Sequence, residues 1–106
     1  MRTQLKKGSL ELCVLAVLSE VDRYGYELVE VISRHIDITE GTIYPLMRRC
    51  LNDGWFETYL RESDQGPPRK YYRITPKGRE VYAEMKTEWD SYTQAINSLL
   101  QEVQVP

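Results

Sequence analysis

The sequence is poor in the residues that bind metals and carry out nucleophilic chemistry. It contains one histidine, His35, and two cysteines, Cys13 and Cys50, among 106 residues. This set cannot supply the ligands of a zinc or iron site. Both cysteines stand within apolar stretches of helical character, which predicts two reduced thiols in the core. We therefore expect neither a metal nor another cofactor.

Long apolar runs are also missing. The longest run, Leu12–Leu18, has seven residues, whereas a membrane-spanning helix needs about 20. The N-terminus lacks an apolar stretch followed by a cleavage-like tail. These absences predict a cytoplasmic protein with no membrane partner.

The machinery of an enzyme is absent from the sequence as well. We find no nucleophile–base pair and no glycine-rich phosphate loop. The hydrophobic fraction of 42% and the charged fraction of 28% are those of an ordinary globular protein, and 106 residues suit one domain. We expect a binding protein with no catalytic residues.

The net charge of −2 conceals a polarised distribution. Residues 41–79 carry eight basic side chains against four acidic ones, whereas residues 80–106 carry one lysine against five acids. A basic middle segment suits a nucleic acid, because clustered Lys and Arg side chains attract phosphates. The same block could instead be a solvated face, and charge alone does not separate the two interpretations.

Three helices are predicted in the first half of the chain. A segment over about residues 9–20, capped by Ser9, is apolar on nearly every side, as expected of a buried helix. Segments over about residues 24–36 and 40–53 repeat apolar residues at helical spacing, and Gly54 ends the second of them.

The start of the third helix is ambiguous because of Pro45. If Thr39 is the cap, Pro45 falls in the second turn and removes a helical hydrogen bond. If Thr42 is the cap, Pro45 falls in the first turn, where its missing N–H costs little. In either case Glu40 suits the helix start as a partner of the helix dipole.

A hairpin is predicted after the third helix. Residues 55–60 and 71–74 are rich in aromatic strand formers, and the polar segment between them, Arg61–Arg69, is rich in turn residues. Two strands alone are only marginally stable. We therefore expect the hairpin to pack on the helices.

A long final helix is predicted from Thr75-Pro76, a cap followed by proline, to about Val103. Its apolar residues follow spacings of three and four. They are Val81, Met85, Trp89, Tyr92, Ile96, Leu99 and Val103. An apolar seam of this kind predicts a dimer interface, because this small domain cannot cover the whole helix. We expect the interface to contain the residues of the series from Met85 to Val103. A helix folded back on its own core is the alternative.

The order of three helices, a hairpin and a helix predicts an α+β, mostly α, fold. This fold is a winged helix-turn-helix with a two-stranded wing and a long C-terminal dimerisation helix. We assign residues 1–75 to the DNA-binding part and residues 76–106 to the dimerisation helix, within one compact unit.

The winged-helix layout predicts which residues contact double-stranded DNA. The third helix fits a major groove about 12 Å wide, and the wing follows the phosphates. The expected contacts are Thr39, Thr42, Tyr44 and Arg48 on the helix, Gln65, Gly66, Arg69 and Lys70 on the wing, and Lys6 before the first helix. Arg48 and Arg49 could instead form a solvated face or pair with Asp53. A winged helix used for protein contact would show apolar residues and a neutral wing here.

Four segments resemble the PadR family of bacterial transcriptional regulators. These are Gly41–Arg49 (GTIYPLMRR), Tyr24–Leu28 (YGYEL), Arg69–Thr75 (RKYYRIT) and Lys77–Arg79 (KGR). The single C-terminal helix resembles the short, LmrR-like branch of that family, which includes multidrug-responsive repressors. The resemblance implies a homodimeric repressor, held together by its N-terminal and C-terminal helices, that binds an inverted-repeat operator.

The resemblance also implies a ligand site. Drug-responsive relatives carry a tryptophan on the last helix that stacks planar ligands at the dimer centre, and Trp89 matches that position. Leu12 and Glu11 of the first helix would face the same space, and a planar aromatic effector would release the DNA. Alternatively, Trp89 simply fills the dimer core. The acidic Glu11 could favour cationic aromatics or close the pocket.

Overall fold

The computed structural model describes the backbone of residues 3–103 and the side chains of residues 8–103. This part of the chain forms four helices and three short strands. In chain order they are α1 (Thr3–Glu20), β1 (Arg23–Tyr24), α2 (Gly25–Ser33), α3 (Glu40–Asn52), β2 (Phe56–Arg61), β3 (Arg69–Ile74) and α4 (Pro76–Glu102). The prediction of a mostly helical α+β fold with a hairpin before the last helix is confirmed.

The core lies where α1, α2, α3 and the sheet meet. Its buried side chains are Leu10, Val14, Leu15, Leu18, Leu28, Ile32, Ile43, Leu46, Met47, Cys50, Phe56 and Ile74. One flank of α1 is covered less completely than expected, since Leu12, Cys13 and Val17 are only half-buried. Apolar side chains therefore extend from the core to one surface of the molecule.

Both cysteines are free thiols, as predicted, but only Cys50 is fully buried. Burial, and to a lesser extent Glu11, raises the pKa of Cys50 to about 12. Burial also raises the pKa of Cys13. Because the thiolate is the reactive form, both side chains are unreactive near neutral pH.

The structure resolves the ambiguity at the start of α3. Thr39 is the N-cap residue, and its carbonyl accepts hydrogen bonds from the N–H groups of Thr42 (3.0 Å) and Ile43 (3.1 Å). Pro45 therefore lies inside the helix. Its missing N–H leaves the carbonyl of Gly41 without a helical donor. Gly41 is exposed, so water can replace that donor.

The sheet has three strands instead of the expected two, in the order β1-β3-β2. The additional strand pairs Arg23 with Tyr72 and Tyr24 with Tyr71, antiparallel to β3. A strand of two residues is too short to show an alternating pattern, which is why the sequence did not reveal it. The strands β2 and β3 pair over six residues, so the hairpin extends further toward its tip than predicted.

The helix α4 begins as predicted and continues unbroken to Glu102. Thr75 caps it by accepting a hydrogen bond from the N–H of Gly78 (3.0 Å). Its first half packs on the core through half-buried apolar residues, whereas its second half is exposed. The exposed large apolar residues of α4 and of its C-cap, Val103, are Trp89, Tyr92, Ile96, Leu99, Leu100 and Val103. The second half of α4 therefore extends beyond the core of its own chain and does not fold back on it.

The described part of the chain lacks two kinds of feature. No helix within it is both long and apolar enough to cross a membrane. Its side chains form no group of three histidine, cysteine or acidic residues with the spacing of a metal site.

The turn between α3 and β2 is held against the start of α4. Thr75 donates two hydrogen bonds to this turn, from its hydroxyl to the carbonyl of Gly54 (2.6 Å) and from its N–H to the carbonyl of Trp55 (3.0 Å). The ammonium group of Lys77 donates to the carbonyl of Asp53 (2.9 Å). We call these contacts the α3–α4 junction. They join the end of α3 directly to the first turn of α4.

Close packing at the junction requires a glycine at position 78. An added Cβ on Gly78 would collide with the carbonyl oxygen of Trp55, and it would lie 2.8 Å from a side-chain carbon of Ile74. We expect Gly78→Ala to lower the free energy of unfolding by about 1–3 kcal/mol, because the backbone must move apart. Urea unfolding at a fixed protein concentration measures this change.

Gly8→Ala on α1 is the matched control for this substitution. An added Cβ at Gly8 meets nothing within 4 Å, and alanine favours a helix over glycine by up to about 1 kcal/mol. We therefore expect Gly8→Ala to be neutral or stabilising. A Gly78→Ala variant as stable as the parent protein would show that the junction is not closely packed.

Candidate nucleic-acid interface

One side of α3 is buried in the core, and the other side is polar and exposed. Thr39, Thr42 and Arg48 are all exposed on that side. The hydroxyl oxygens of Thr39 and Thr42 are 3.3 Å apart, so either can donate to the other. The exposed side thus offers hydroxyl groups at the start of the helix and a guanidinium further along, which are groups that bond phosphates and base edges.

Tyr44 is half-buried between α3 and the start of α2. A Cβ added at Gly25 would lie 3.1 Å from Cε1 of the Tyr44 ring and 3.2 Å from its hydroxyl oxygen. Burial raises the pKa of Tyr44, and the negative charge of Glu40 raises it further. Its hydroxyl therefore stays protonated and can donate a hydrogen bond.

The two faces of the wing differ in what they contact. We call the face of the sheet that carries Phe56, Tyr72 and Ile74 the inner face, because Phe56 and Ile74 belong to the core. Burial raises the pKa of Tyr72, Tyr44 raises it further, and the positive charge of Arg48 lowers it. Tyr44 and Arg48 of α3 are thus close enough to Tyr72 to influence its ionisation.

The tip of the wing is a compact loop organised by Ser63. The hydroxyl oxygen of Ser63 lies 3.0 Å from the carbonyl oxygen of Gln65, 3.4 Å from that of Gly66 and 3.1 Å from that of Pro67. Gly66 has a φ of +97°, which glycine adopts without strain. Gln65 and Gly66 are both exposed at the tip. Sequence reasoning did not select Ser63, although serine is a common turn residue.

The two basic residues at the start of β3 lie on opposite faces of the wing. Successive side chains of a strand alternate between faces. The ammonium of Lys70 lies over the ring of Tyr72 on the inner face, 5.8 Å from its centroid. The guanidinium of Arg69 lies over the ring of Tyr24, 4.6 Å from its centroid, on the other face, which we call the outer face. These two cations therefore flank the wing and do not form one patch.

A row of tyrosines crosses the outer face and joins its three strands. Tyr71 of β3 lies directly opposite Tyr24 of β1 and Tyr59 of β2 in the pairing register. Its ring centroid is 5.7 Å from that of each neighbour. The hydroxyl of Tyr59 donates to Asp22 (2.7 Å), a bond that raises the pKa of Tyr59. This row fixes the position of the wing relative to the α1–α2 turn.

Arg49 forms an ion pair with Glu11 of α1, with 2.8 Å between the charged atoms. Sequence reasoning considered a solvated face or a pair with Asp53 for this residue, but the observed partner is 38 positions away in the chain. The contact joins α1 to α3. Arg48, one position earlier, is exposed and makes no ion pair within the described part of the chain.

Comparison with known proteins decides the family. A model of the PadR-like family of transcriptional regulators matches residues 14–84, about two-thirds of the chain. The chain belongs to this family. It is therefore a transcriptional regulator and not an enzyme, and DNA-binding regulation is the role that membership implies.

Similar proteins support the assignment to PadR-like regulators along most of the chain. A PadR-like transcriptional regulator from Bacillus cereus is 42% identical and superposes with a TM-score of 0.86, covering 93% of this chain and 98% of its own. A Streptococcus transcriptional regulator is 37% identical with a TM-score of 0.84, covering 92% and 98%. The transcriptional regulator Rv3488 of Mycobacterium tuberculosis is 30% identical over 76% of each chain. The winged-helix prediction is confirmed.

This PadR-like regulator also has an apolar groove between α1 and α4. The groove has a volume of about 680 Å³. It is lined by Gly8, Leu12, Met85, Trp89 and Tyr92, together with the polar residues Thr87, Glu88 and Ser91. Leu12 and Trp89 thus line one groove of the single chain. The exposed indole of Trp89 forms part of its wall, with 43% of the residue accessible.

Glu11 is not among the residues that line this groove of the single chain. Consecutive residues on a helix point about 100° apart, so Glu11 is directed away from the side occupied by Leu12. Its carboxylate instead forms the ion pair with Arg49. The side chain of Lys6, another predicted site residue, lies outside the described side chains.

A double-mutant cycle tests the contact between Tyr44 and Gly25. Gly25→Ala places a methyl group against the Tyr44 ring and forces the ring to move by a few tenths of an ångström. With Tyr44 already replaced by alanine, the same change should be neutral or stabilising, since alanine is the better helix former. We expect a coupling free energy of about 1 kcal/mol in urea unfolding. Additive effects of the two substitutions would contradict the contact.

Proposed function

We propose that this PadR-like regulator is a homodimeric repressor that binds an inverted-repeat operator. The observation that carries the proposal is that Arg48 on the outward side of α3 and Lys70 on the wing are exposed and form no ion pair in the described part of the chain. Half-buried Tyr44 lies on the same helix as Arg48, and the ammonium group of Lys70 lies over the ring of Tyr72. Cations spread along a helix and an adjoining hairpin suit a phosphate backbone beside a groove.

The proposed DNA contacts divide into two groups. On α3, Thr39, Thr42, Tyr44 and Arg48 face the major groove, where base edges present distinct donors and acceptors. On the wing, Gln65, Gly66, Arg69 and Lys70 approach the phosphates, and Lys6 adds a backbone contact. The exposed Gly66 lets the main chain approach a phosphate closely, because it has no side chain.

We further propose that α4 forms the dimer interface. The interface residues are Met85, Trp89, Tyr92, Ile96, Leu99 and Val103, all but the first of which are exposed in the single chain. Tyr92 is 64% accessible and Leu99 is 57% accessible, values that favour burial against a second copy. In this arrangement residues 1–75 bind DNA, and residues 76–106 hold two copies together.

A planar aromatic ligand in the groove between α1 and α4 is the proposed releasing signal. The indole of Trp89, beside the apolar side chains of Leu12 and Met85, suits a flat aromatic molecule. A ligand that favours one angle between the subunits shifts the dimer toward that form. The α3–α4 junction passes a change in α4 directly to the end of α3, so the distance between the two recognition helices changes with it.

Salt dependence tests the proposed DNA surface. We expect wild-type protein to bind random duplex DNA at low salt, and its affinity to fall as the salt concentration rises. Arg48→Ala and Lys70→Ala should each reduce the slope of log affinity against log salt by up to about 1. A gel-shift series over several salt concentrations gives this slope.

Arg34→Ala is the matched control for the salt series. Arg34 lies just after α2, is exposed and pairs with Glu30, so its removal changes the net charge without touching the proposed surface. The slope of log affinity against log salt for Arg34→Ala should equal that of the wild type. If Arg34→Ala reduced the slope as much as Lys70→Ala, binding would reflect overall charge only. If the wild type ignored duplex DNA at low salt, the proposed function would be wrong.

Trp89→Ala tests the dimer and the ligand site together. We expect weaker dimers in sedimentation analysis, because a large seam side chain is lost, and no binding of a planar aromatic dye. Leu99→Ala is the control, since Leu99 belongs to the seam but does not line the groove. At concentrations where Leu99→Ala is dimeric, it should still bind the dye. Dye binding by dimeric Trp89→Ala would contradict the ligand site, and undiminished dimers would contradict the seam.

A further inference from the structure

We propose that Arg61 and Arg69 together hold a DNA phosphate on the outer face of the wing. The inference rests on the proposed function, which already directs Arg69 toward the phosphates, and extends it to Arg61 and to the outer face that the two residues share. Arg61 is the last residue of β2 and Arg69 is the first residue of β3, so both stand where the hairpin meets its tip. We call them the outer arginine pair.

The two arginines are direct neighbours across the hairpin. Arg61 and Arg69 are partners in the antiparallel register, so their side chains leave the sheet on the same face. Both residues are exposed. Like charges directly opposite each other destabilise a strand pair, and this pairing therefore has no evident role in the stability of the hairpin.

Tyrosine rings support both guanidinium groups. The guanidinium of Arg61 lies 5.1 Å from the ring centroid of Tyr71, and that of Arg69 lies 4.6 Å from that of Tyr24. Neither arginine forms an ion pair with a carboxylate in the described part of the chain. A guanidinium over a ring uses its face for that contact and keeps N–H donors for an anion. The ring contacts thus hold both guanidinium groups in place and leave N–H donors available for an anion.

A concavity of about 480 Å³ lies beside the outer arginine pair. Its remaining lining residues are Glu62, Ser63, Asp64, Gln65 and Tyr71. The two acidic residues balance the two arginines, so this concavity does not concentrate small anions from solution. A duplex already held by α3 and the inner face presents its phosphate at a high effective concentration. We therefore expect the pair to contact the backbone of bound DNA and not free phosphate.

Arg73 provides a matched control on the same face. Its guanidinium also lies over a tyrosine ring, 4.8 Å from the centroid of Tyr59. Unlike the outer pair, it is neutralised by Glu57, with 2.8 Å between the charged atoms. It also stands further from the tip, opposite Glu57 in the register. Removing Arg73 thus changes the same net charge on the same face without removing an unpaired cation.

The salt dependence of duplex binding tests the outer arginine pair. We expect Arg61→Ala to reduce the slope of log affinity against log salt by up to about 1 and Arg61→Lys, which keeps the charge, to restore most of it. Arg73→Ala should leave the slope unchanged. Inorganic phosphate, added at constant ionic strength, should compete no better with duplex binding by the wild type than with binding by Arg61→Ala.

Three results would overturn the inference. One is a wild-type slope for Arg61→Ala, and another is an equal reduction by Arg61→Ala and Arg73→Ala. The third is specific competition by inorganic phosphate that Arg61→Ala abolishes, which would indicate a site for free anions. If Arg48→Ala and Lys70→Ala lower the slope while Arg61→Ala does not, only this inference fails. If the wild type does not bind duplex at all, the proposed function itself fails.

A folding control accompanies the binding series. Urea unfolding should show Arg61→Ala to be close to the wild type in stability, because the lost contact with the Tyr71 ring and the removal of one of two opposed charges act in opposite directions. Arg61→Gln, which keeps a long polar side chain, gives a second neutral variant for the binding series. A wild-type slope for a folded Arg61→Gln would contradict the inference just as it would for Arg61→Ala.

Discussion

The packing of Gly78 against the carbonyl of Trp55 is the constraint on which the rest of the arrangement depends. It brings the first turn of α4 into contact with the turn that ends α3, and Thr75 completes the contact with its two hydrogen bonds to that turn. A side chain at position 78 would separate the two elements. The closest approach at this contact, Gly78 against the carbonyl of Trp55, is made by main-chain atoms, which leave less freedom than long side chains would. The ion pair between Arg49 and Glu11 adds a second connection, from α3 to α1.

Much of the architecture could be predicted because its determinants are local. Helical spacing located α3 and the apolar row on α4, and the Thr75-Pro76 cap located the start of α4. The turn residues between Arg61 and Arg69 located the wing tip. The exposed positions of α3 followed from the same periodicity, since polar residues between buried ones must face outward. These features need only the neighbours of each residue along the chain.

The features that could not be predicted depend on residues far apart in the chain. The strand β1 exists only because Tyr24 meets Tyr71, and the tyrosine row and the outer arginine pair follow from strand registers. The ion-pair partner of Glu11 is Arg49 on α3, 38 positions away, and no local pattern indicates that partner. The sequence analysis treated Arg69 and Lys70 as one pair of phosphate contacts. In the structure, successive residues of β3 point to opposite faces, so these two side chains are separated. Arg61 was not predicted as a contact residue because the sequence analysis assigned it to the turn, whereas it is the last residue of β2.

The central position of β3 in the sheet has a consequence for motion in the wing. At Tyr71 and Tyr72 this strand is paired with β1 on one side and with β2 on the other, whereas toward Arg69 only β2 pairs with it. Amide hydrogens should therefore exchange slowly at the root of the hairpin and progressively faster toward Gly66. Such a hairpin is rigid where it joins the helices and flexible at its tip. The flexible tip can adapt to DNA grooves of different width, while the paired residues near the helices keep the orientation of the wing.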